Sequence, residues 1–306
     1  MNDQKSVIGI LVLANILFGL NFVANKAVLG NLSAIEWGCL RMLIGGLFIL
    51  AYALTGKRKM PPIREKSFLV PFLWLGGVWI AFQTLQLVGI SLTSATNASI
   101  LFTLTPAFAL LIITLRGLEV LNSKRILGFA IAFVGAICIR KVEDFQLTDK
   151  TIVGDLMAVC SSVLMATFLC YSKKFLQEFD FLWSIALMLL LGSTEVAAVG
   201  ALTGTNFHAP DLNPTLIGWI LFSATLGSAL PFALNLWGIK RAPPSIVALL
   251  FYIQPIVGAS FAWLWLGEPM SVRKLVSIAT IIFGIVLVRK GTAAPPQASV
   301  EGRKAS

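Results

Sequence analysis

Residues 101–119, LFTLTPAFALLIITLRGLE, and residues 250–268, LFYIQPIVGASFAWLWLGE, decide the fold of this chain. Each stretch is apolar, carries a proline near its start and ends in a glutamate. A shift of 149 positions pairs Phe102 with Phe251, Pro106 with Pro255, and Glu119 with Glu268. The chain therefore repeats itself, and the repeated unit is hydrophobic.

The whole chain is organised in apolar blocks of this kind. Of its 306 residues, 57% are hydrophobic and 12% charged, and the mean hydropathy is +0.87. Blocks of about 20 apolar residues match the hydrocarbon thickness of a bilayer at the rise of an α-helix. The sequence predicts an all-α membrane protein with ten transmembrane helices, at residues 7–29, 34–54, 67–90, 94–115, 126–139, 152–171, 181–202, 216–239, 245–266 and 272–288.

Shifts of 149 residues and slightly fewer superimpose one half of the chain on the other. We predict a first five-helix repeat at residues 1–142, a second at 143–291 and a flexible cytoplasmic tail at 292–306. Because five is an odd number, the second repeat enters the membrane in the opposite sense to the first. Two inverted repeats around a central cavity are a recurrent architecture of secondary transporters.

The basic residues indicate the orientation of this bundle. Most of the 24 Lys and Arg residues fall on the side that holds both chain ends. The positive-inside rule then places both termini in the cytoplasm. The net charge of +10 does not indicate nucleic acid, because the basic residues lie between spans and form no stripe with aromatic residues.

The sequence shows no recognisable set of catalytic residues. His208 is the only histidine and falls in a predicted outer loop, and no nucleophile with a neighbouring base is evident. There is no glycine-rich phosphate-binding loop, and the four cysteines lack metal-binding spacing. We therefore expect no enzyme, no metal and no cofactor.

Four stretches carry a resemblance to a known family: FGLNFVANK at 18–26, CLRMLIGG at 39–46, SATNASILFTLTPAF at 94–108 and LFYIQPIVGASFAWLWLGEPMS at 250–271. Together they resemble the EamA family of the drug/metabolite transporter superfamily. The resemblance covers both halves and implies a ten-span transporter, in a family associated with export of amino acids and other metabolites. The halves differ at Leu187, which stands where the first half has Arg41, and at Val120, which replaces the proline of the GEP turn at 267–269.

Ionisable side chains inside predicted spans are candidates for function, because an unpaired charge in lipid is costly. Arg41 and Glu195 each lie about two turns into a span. They are interpreted either as a structural ion pair or as a carboxylate-binding arginine and a gate. Lys26 shares a helical arc with Asn21 and Asn25, and this polar arc must face protein or solvent.

Other spans add polar side chains to the predicted cavity. Trp79, Gln83 and Gln86 form a narrow stripe on the third span. The remaining candidates for solute binding are Ser99, Thr103, Asn235 and Tyr252. Small hydroxyl residues alternatively serve helix packing.

Three prolines lie well inside predicted spans, away from the span ends. Pro106, Pro231 and Pro255 each remove a backbone hydrogen bond near the membrane centre. Simple kinks are one interpretation, and hinges for a rocking motion are the other.

These patterns favour a secondary transporter in the bacterial inner (plasma) membrane, exporting small metabolites by alternating access, with amino acids among the candidate cargoes. Its partners are then a small solute and the lipid bilayer. A multidrug or organic-cation exporter is the alternative, but it would want an acid in the first span, where this chain has Asn and Lys. A membrane channel or receptor is the alternative of another class.

Overall fold

The computed structural model of the chain describes residues 2–56, 58–92, 101–119, 121–138, 149–202, 204–205, 212–266 and 271–291. Within these ranges every regular element is helical. The all-α fold predicted from the apolar blocks is therefore confirmed.

The helices follow one another with short connections. In chain order they are α1 (Asn2–Leu29), α2 (Ala34–Thr55), α3 (Lys66–Leu92), α4 (Thr105–Leu115), α5 (Ser123–Cys138), α6 (Asp149–Glu178), α7 (Phe181–Leu202), α8 (Pro214–Ala224), a π-helical turn (Thr225–Ala229), α9 (Leu230–Arg241), α10 (Pro244–Leu250), α11 (Ile253–Leu266) and α12 (Val272–Gly291).

Five of the described segments are long and apolar enough to cross a bilayer: Ala34–Thr55, Lys66–Gly89, Ile152–Glu178, Phe181–Leu202 and Pro214–Arg241. They correspond to the second, third, sixth, seventh and eighth predicted spans. Shorter apolar helical stretches represent the first, fourth and ninth at Lys5–Asn21, Thr105–Leu115 and Pro244–Gly258. The full count of ten spans remains a prediction.

Side-chain caps fix where several helices begin. Ser33 and Glu36 form a capping box at the start of α2, in which Ser33 N donates to Glu36 Oε2 (2.8 Å) and Glu36 N donates to Ser33 Oγ (3.2 Å). Asn213 accepts from Leu216 N (2.8 Å) at the start of α8. Such caps satisfy amides that the helix itself leaves unpaired.

The three mid-span prolines all follow local breaks in the helices. Pro106 is the second residue of α4, behind a turn at 103–104, and Pro255 is the third residue of α11, behind a turn at 251–252. Pro231 is the second residue of α9, directly after the π-helical turn. In the first turn of a helix a proline removes no helical hydrogen bond, so the turns before Pro106 and Pro255 are compatible with these residues. At Pro231 the helix continues, and the wider π-helical turn accommodates the proline.

The helix contacts reflect the repeat. The most extensive are those of α5 with α12, α3 with α6, and α2 with α7. In the first and third pairs the partners occupy equivalent positions in the two repeats. The contact of α3 with α6 is matched by that of α1 with α9, and the contact of α4 with α6 by that of α1 with α11. The structure therefore has the two-repeat organisation predicted from the sequence.

Glycines bring α5 and α12 into backbone contact. A Cβ atom on Gly284 would lie 2.6 Å from both Ala132 N and Gly128 O, and one on Gly128 would lie 2.8 Å from Gly284 O. Only residues without a side chain allow this approach, a common basis of helix association in membranes.

Candidate functional site

A cavity of about 780 Å³ lies between the two repeats, and we refer to it as the chamber. Its described walls come from both halves: α1, α2 and α3 of the first, and α6, α7, α8, the π-helical turn, α9 and α11 of the second. Its volume is within the range of about 300–1,000 Å³ that is usual for small-molecule sites.

The chamber occupies one end of the bundle. Its described lining includes Gly30, Leu32 and Ser33 of the α1–α2 connection, and Thr205 just beyond α7. We call this end the mouth. No described residue of α4, α5, α10 or α12 lines the chamber. The end opposite the mouth is instead filled by α10, of which every residue is buried.

Arg41 provides the charge of the chamber wall. It projects from α2, its residue is 6% exposed, and its guanidinium Nη2 has no hydrogen-bond partner in the described part of the chain. Glu195 lies on an exposed face of α7, and no ion pair joins it to Arg41. Arg41 is thus a buried cation beside the chamber, with a donor that no described protein group accepts, and this arrangement suits an anionic group.

The α3 stripe lies on the chamber wall. Trp79, Gln83 and Gln86 all line it. Trp79 is buried against Phe232, with their ring centroids 5.0 Å apart. Gln83 and Gln86 are only partly buried, so their amide groups face the open space. This wall offers hydrogen-bond donors and acceptors beside an aromatic surface.

Asn21 and Asn25 also line the chamber, but hydrogen bonds within the protein occupy them. Asn21 Nδ2 donates to Ser228 Oγ (3.1 Å), and Asn21 Oδ1 accepts from Ser223 Oγ (2.5 Å). Asn25 Oδ1 accepts from Ser223 Oγ (3.1 Å) and from Trp37 Nε1 (2.8 Å). We call these five residues the asparagine clamp, since they tie α1 to α2 and to the segment around the π-helical turn.

The remaining predicted site residues lie elsewhere. Thr103, Asn235 and Tyr252 are buried but are not part of the chamber lining. The side-chain atoms of Asn235 and the Tyr252 hydroxyl have no hydrogen-bond partner among the described residues. Ser99 and the side chain of Lys26 lie outside the described part of the chain, as does His208.

The structure adds lining residues that the sequence did not single out as a set. Five phenylalanines contribute to the wall, and two of them, Phe102 and Phe251, are repeat partners that stack with ring centroids 6.4 Å apart. Gln254 also lines the chamber and donates to Asn15 Oδ1 (2.9 Å). The repeat alignment pairs Phe102 with Phe251, and this pairing is the sequence signal that could have identified them as wall residues.

No group of three or more His, Cys, Asp or Glu side chains within the described ranges is arranged to hold a metal ion. The described lining of the chamber offers the guanidinium of Arg41, several amides and an aromatic surface.

Comparison with known proteins identifies the class. Similar proteins include an uncharacterized transporter of Archaeoglobus fulgidus, 24% identical over 88% of this chain and 91% of its own length, and the uncharacterized transporter YvbV of Bacillus subtilis, 25% identical over 93% and 92%. The WAT1-related protein At4g01440 of Arabidopsis thaliana is 22% identical over 92% of this chain and 85% of its own. A solved protein structure, 17% identical, shares the fold with a TM-score of 0.79 over 94% of this chain and 99% of the other.

These relatives and the helical bundle place the chain among integral membrane transporters of the drug/metabolite type. The EamA-like transporter family matches it twice, at residues 5–141 and 152–290. The chain belongs to the EamA-like transporter family, and the resemblance read from its sequence motifs is confirmed.

Proposed function

We propose that this transporter is a secondary exporter of small metabolites that carry a carboxylate group, amino acids included, and that it works by alternating access. The observation that carries the proposal is Arg41, a buried guanidinium on the chamber wall whose Nη2 has no hydrogen-bond partner among the described residues. A charge in such a place is costly unless a counter-charge joins it.

The rest of the chamber supports an anionic or zwitterionic cargo. No Asp or Glu is among its described lining residues, so nothing there neutralises Arg41 or attracts a cation. Gln83 and Gln86 supply further donors and acceptors, and Trp79 with the phenylalanines accommodates an apolar part of the cargo. An organic cation would find none of the acidic groups that it requires in an apolar cavity.

Two features support alternating access. The chamber has a mouth at one end only, and the opposite end is packed with buried side chains. The chain is also built from two similar repeats that contact each other through equivalent helices. Exchange of roles between such repeats would close the mouth and open the other end.

Proteoliposome counterflow tests the proposal. Purified protein is first screened by thermal shift against free amino acids, dicarboxylates and quaternary ammonium compounds, and the compounds that stabilise it are then used as labelled cargo. We expect saturable counterflow of a carboxylate compound. Stabilisation and transport of ammonium compounds alone would favour an organic-cation exporter, and flux that does not saturate would favour a channel.

Substitution of Arg41 tests the role of its guanidinium. Arg41→Ala should reduce counterflow at least about tenfold, because a charge-assisted hydrogen bond to the cargo is lost. Arg41→Lys should recover only part of the activity, since an ammonium group cannot make the paired bonds of a guanidinium. Glu195→Gln, on the exposed face of α7, is the control and should transport normally. Near-normal counterflow by a folded Arg41→Ala protein would remove Arg41 from the binding site.

A further inference from the structure

Glu119, Arg125 and Ser245 form a cluster of polar side chains at the end of the bundle opposite the mouth. Arg125 Nη2 donates to Glu119 Oε2 (2.9 Å) and also to Ser245 Oγ. Ser245 Oγ donates to Glu119 Oε2 (2.5 Å), and Ser245 N donates to Glu119 Oε1 (3.0 Å). Both carboxylate oxygens of Glu119 are therefore engaged by the other two residues.

The cluster joins the two repeats. Glu119 and Arg125 belong to the first repeat, at the connection between α4 and α5, whereas Ser245 lies at the start of α10 in the second. Since Glu119 binds the amide as well as the hydroxyl of Ser245, it fixes the position of the α10 backbone. Beyond Ser245, α10 is buried along its whole length and separates the cluster from the chamber.

Burial distinguishes this ion pair from the other one in the described structure. The side chains of Arg125 and Glu119 are 8% and 13% exposed, whereas those of Arg58 and Asp180, at the same end of the bundle, are 35% and 22% exposed. An exposed pair contributes little, but breaking a buried pair leaves an unsatisfied charge. The buried pair is thus strongly favoured while closed, and in an open state water would solvate its separated groups.

We propose that Glu119, Arg125 and Ser245 form a latch that holds shut the end of the protein opposite the mouth, and that the latch separates when that end opens. The proposal rests on the alternating-access mechanism proposed above. Opening that end must move α10 away from the connection between α4 and α5, and the latch is the polar contact that directly opposes this movement.

Cys170 provides a native reporter of the opening. It lies on α6, is buried, and packs against the first repeat, with its Sγ 3.8 Å from Ala109 O of α4. It does not line the chamber, so a polar reagent entering through the mouth does not reach it. Separation of the latch should therefore expose Cys170 to solvent.

The experiment measures alkylation of Cys170 by a charged maleimide in detergent-solubilised protein whose other cysteines, Cys39, Cys138 and Cys160, are replaced by alanine. Glu119→Gln and Arg125→Gln each remove one charge while preserving much of the side-chain volume. We expect both variants to label at least about tenfold faster than the parent, because the open state gains population. Arg58→Gln breaks the exposed pair at the same end and should leave the rate unchanged.

A second reporter separates latch opening from unfolding. Val28→Cys, in a cysteine-free background, places a thiol at a fully buried position in the hydrophobic cluster near the mouth. It should remain protected in both latch variants. The latch is contradicted if Cys170 stays as slow as in the parent, if Arg58→Gln accelerates it equally, or if Val28→Cys becomes reactive to the same degree.

The labelling needs no cargo, so its outcome is independent of the transport assay. Absence of counterflow in the parent protein would overturn the proposed function while the labelling rates still decide the latch. Unchanged labelling together with normal counterflow would overturn the latch alone.

Discussion

Two groups of polar side chains share the chamber wall and differ in what they bind. Arg41, Gln83 and Gln86 present groups to the open space, whereas Asn21 and Asn25 are bonded to other parts of the protein. Removal of an amide from the first group should weaken cargo binding. Removal of an amide from the second group should instead change the structure of the chamber wall.

Gly227, in the π-helical turn, packs closely against Asn21 of the asparagine clamp. A Cβ atom there would lie 2.4 Å from Asn21 Oδ1, closer than side chains tolerate. Gly227→Ala should displace Asn21 and destabilise the protein by about 1–3 kcal/mol, as overpacking typically does. The control is Gly218→Ala in α8, where no atom lies within 4 Å of the added methyl group. The thermal unfolding midpoint measures both.

A double-mutant cycle then tests whether the two residues act together. Asn21→Ala should cost less in the Gly227→Ala protein than in the parent, with a coupling of at least about 0.5 kcal/mol, because the displaced asparagine has already lost its bonds. Additive effects would mean that the contact between Asn21 and Gly227 does not hold the π-helical turn.

At the scale of helices, the pair α5 and α12 depends on glycine. Gly284→Ala would place a Cβ atom 2.6 Å from Ala132 N and Gly128 O, and backbone atoms cannot move aside as a flexible side chain can. We expect a lower thermal midpoint for this variant. Gly77→Ala on α3, with open space around the added methyl group, should leave the midpoint unchanged or raise it slightly. Equal midpoints for the two variants would contradict close packing of α5 on α12.

Helical periodicity groups side chains on one face where a helix is continuous, and it loses this meaning where a helix breaks. Trp79, Gln83 and Gln86 lie on one uninterrupted helix, and they reach the chamber together. Tyr252 was a candidate because repeat symmetry places it on the face of the ninth span that matches the polar face of the fourth. A turn at 251–252 interrupts the helix at this point, and Tyr252 is buried outside the chamber lining. Such a break depends on tertiary packing, which spacing along one segment does not encode.

For the whole molecule, the apolar blocks and the internal repeat were sufficient to predict an all-helical transporter with two repeats. They could not predict which end of the bundle is open, because under the proposed alternating-access mechanism one sequence supports both states. Nor could they reveal the latch, since Glu119 and Ser245 are 126 positions apart and belong to different repeats.

Chamber access provides a test at this scale. If the orientation predicted from the basic residues holds, the α1–α2 connection lies outside the cytoplasm and the mouth faces outward. In a cysteine-free protein, Gln86→Cys on the chamber wall should react with an impermeant maleimide added to intact cells, and Ala248→Cys in buried α10 should not. Reaction of Gln86→Cys only in inside-out vesicles would reverse the orientation.

The contacts of α2 with α7 and of α5 with α12 each join an element to its own counterpart. This is the kind of interface by which two copies of one polypeptide associate around a twofold axis. The two repeats already bind each other through these matched surfaces. The chain segment that joins α5 to α6 therefore acts mainly by raising the effective concentration of each repeat near the other. Each repeat thus provides the other with the partner that a five-helix protein would otherwise have to recruit from the membrane.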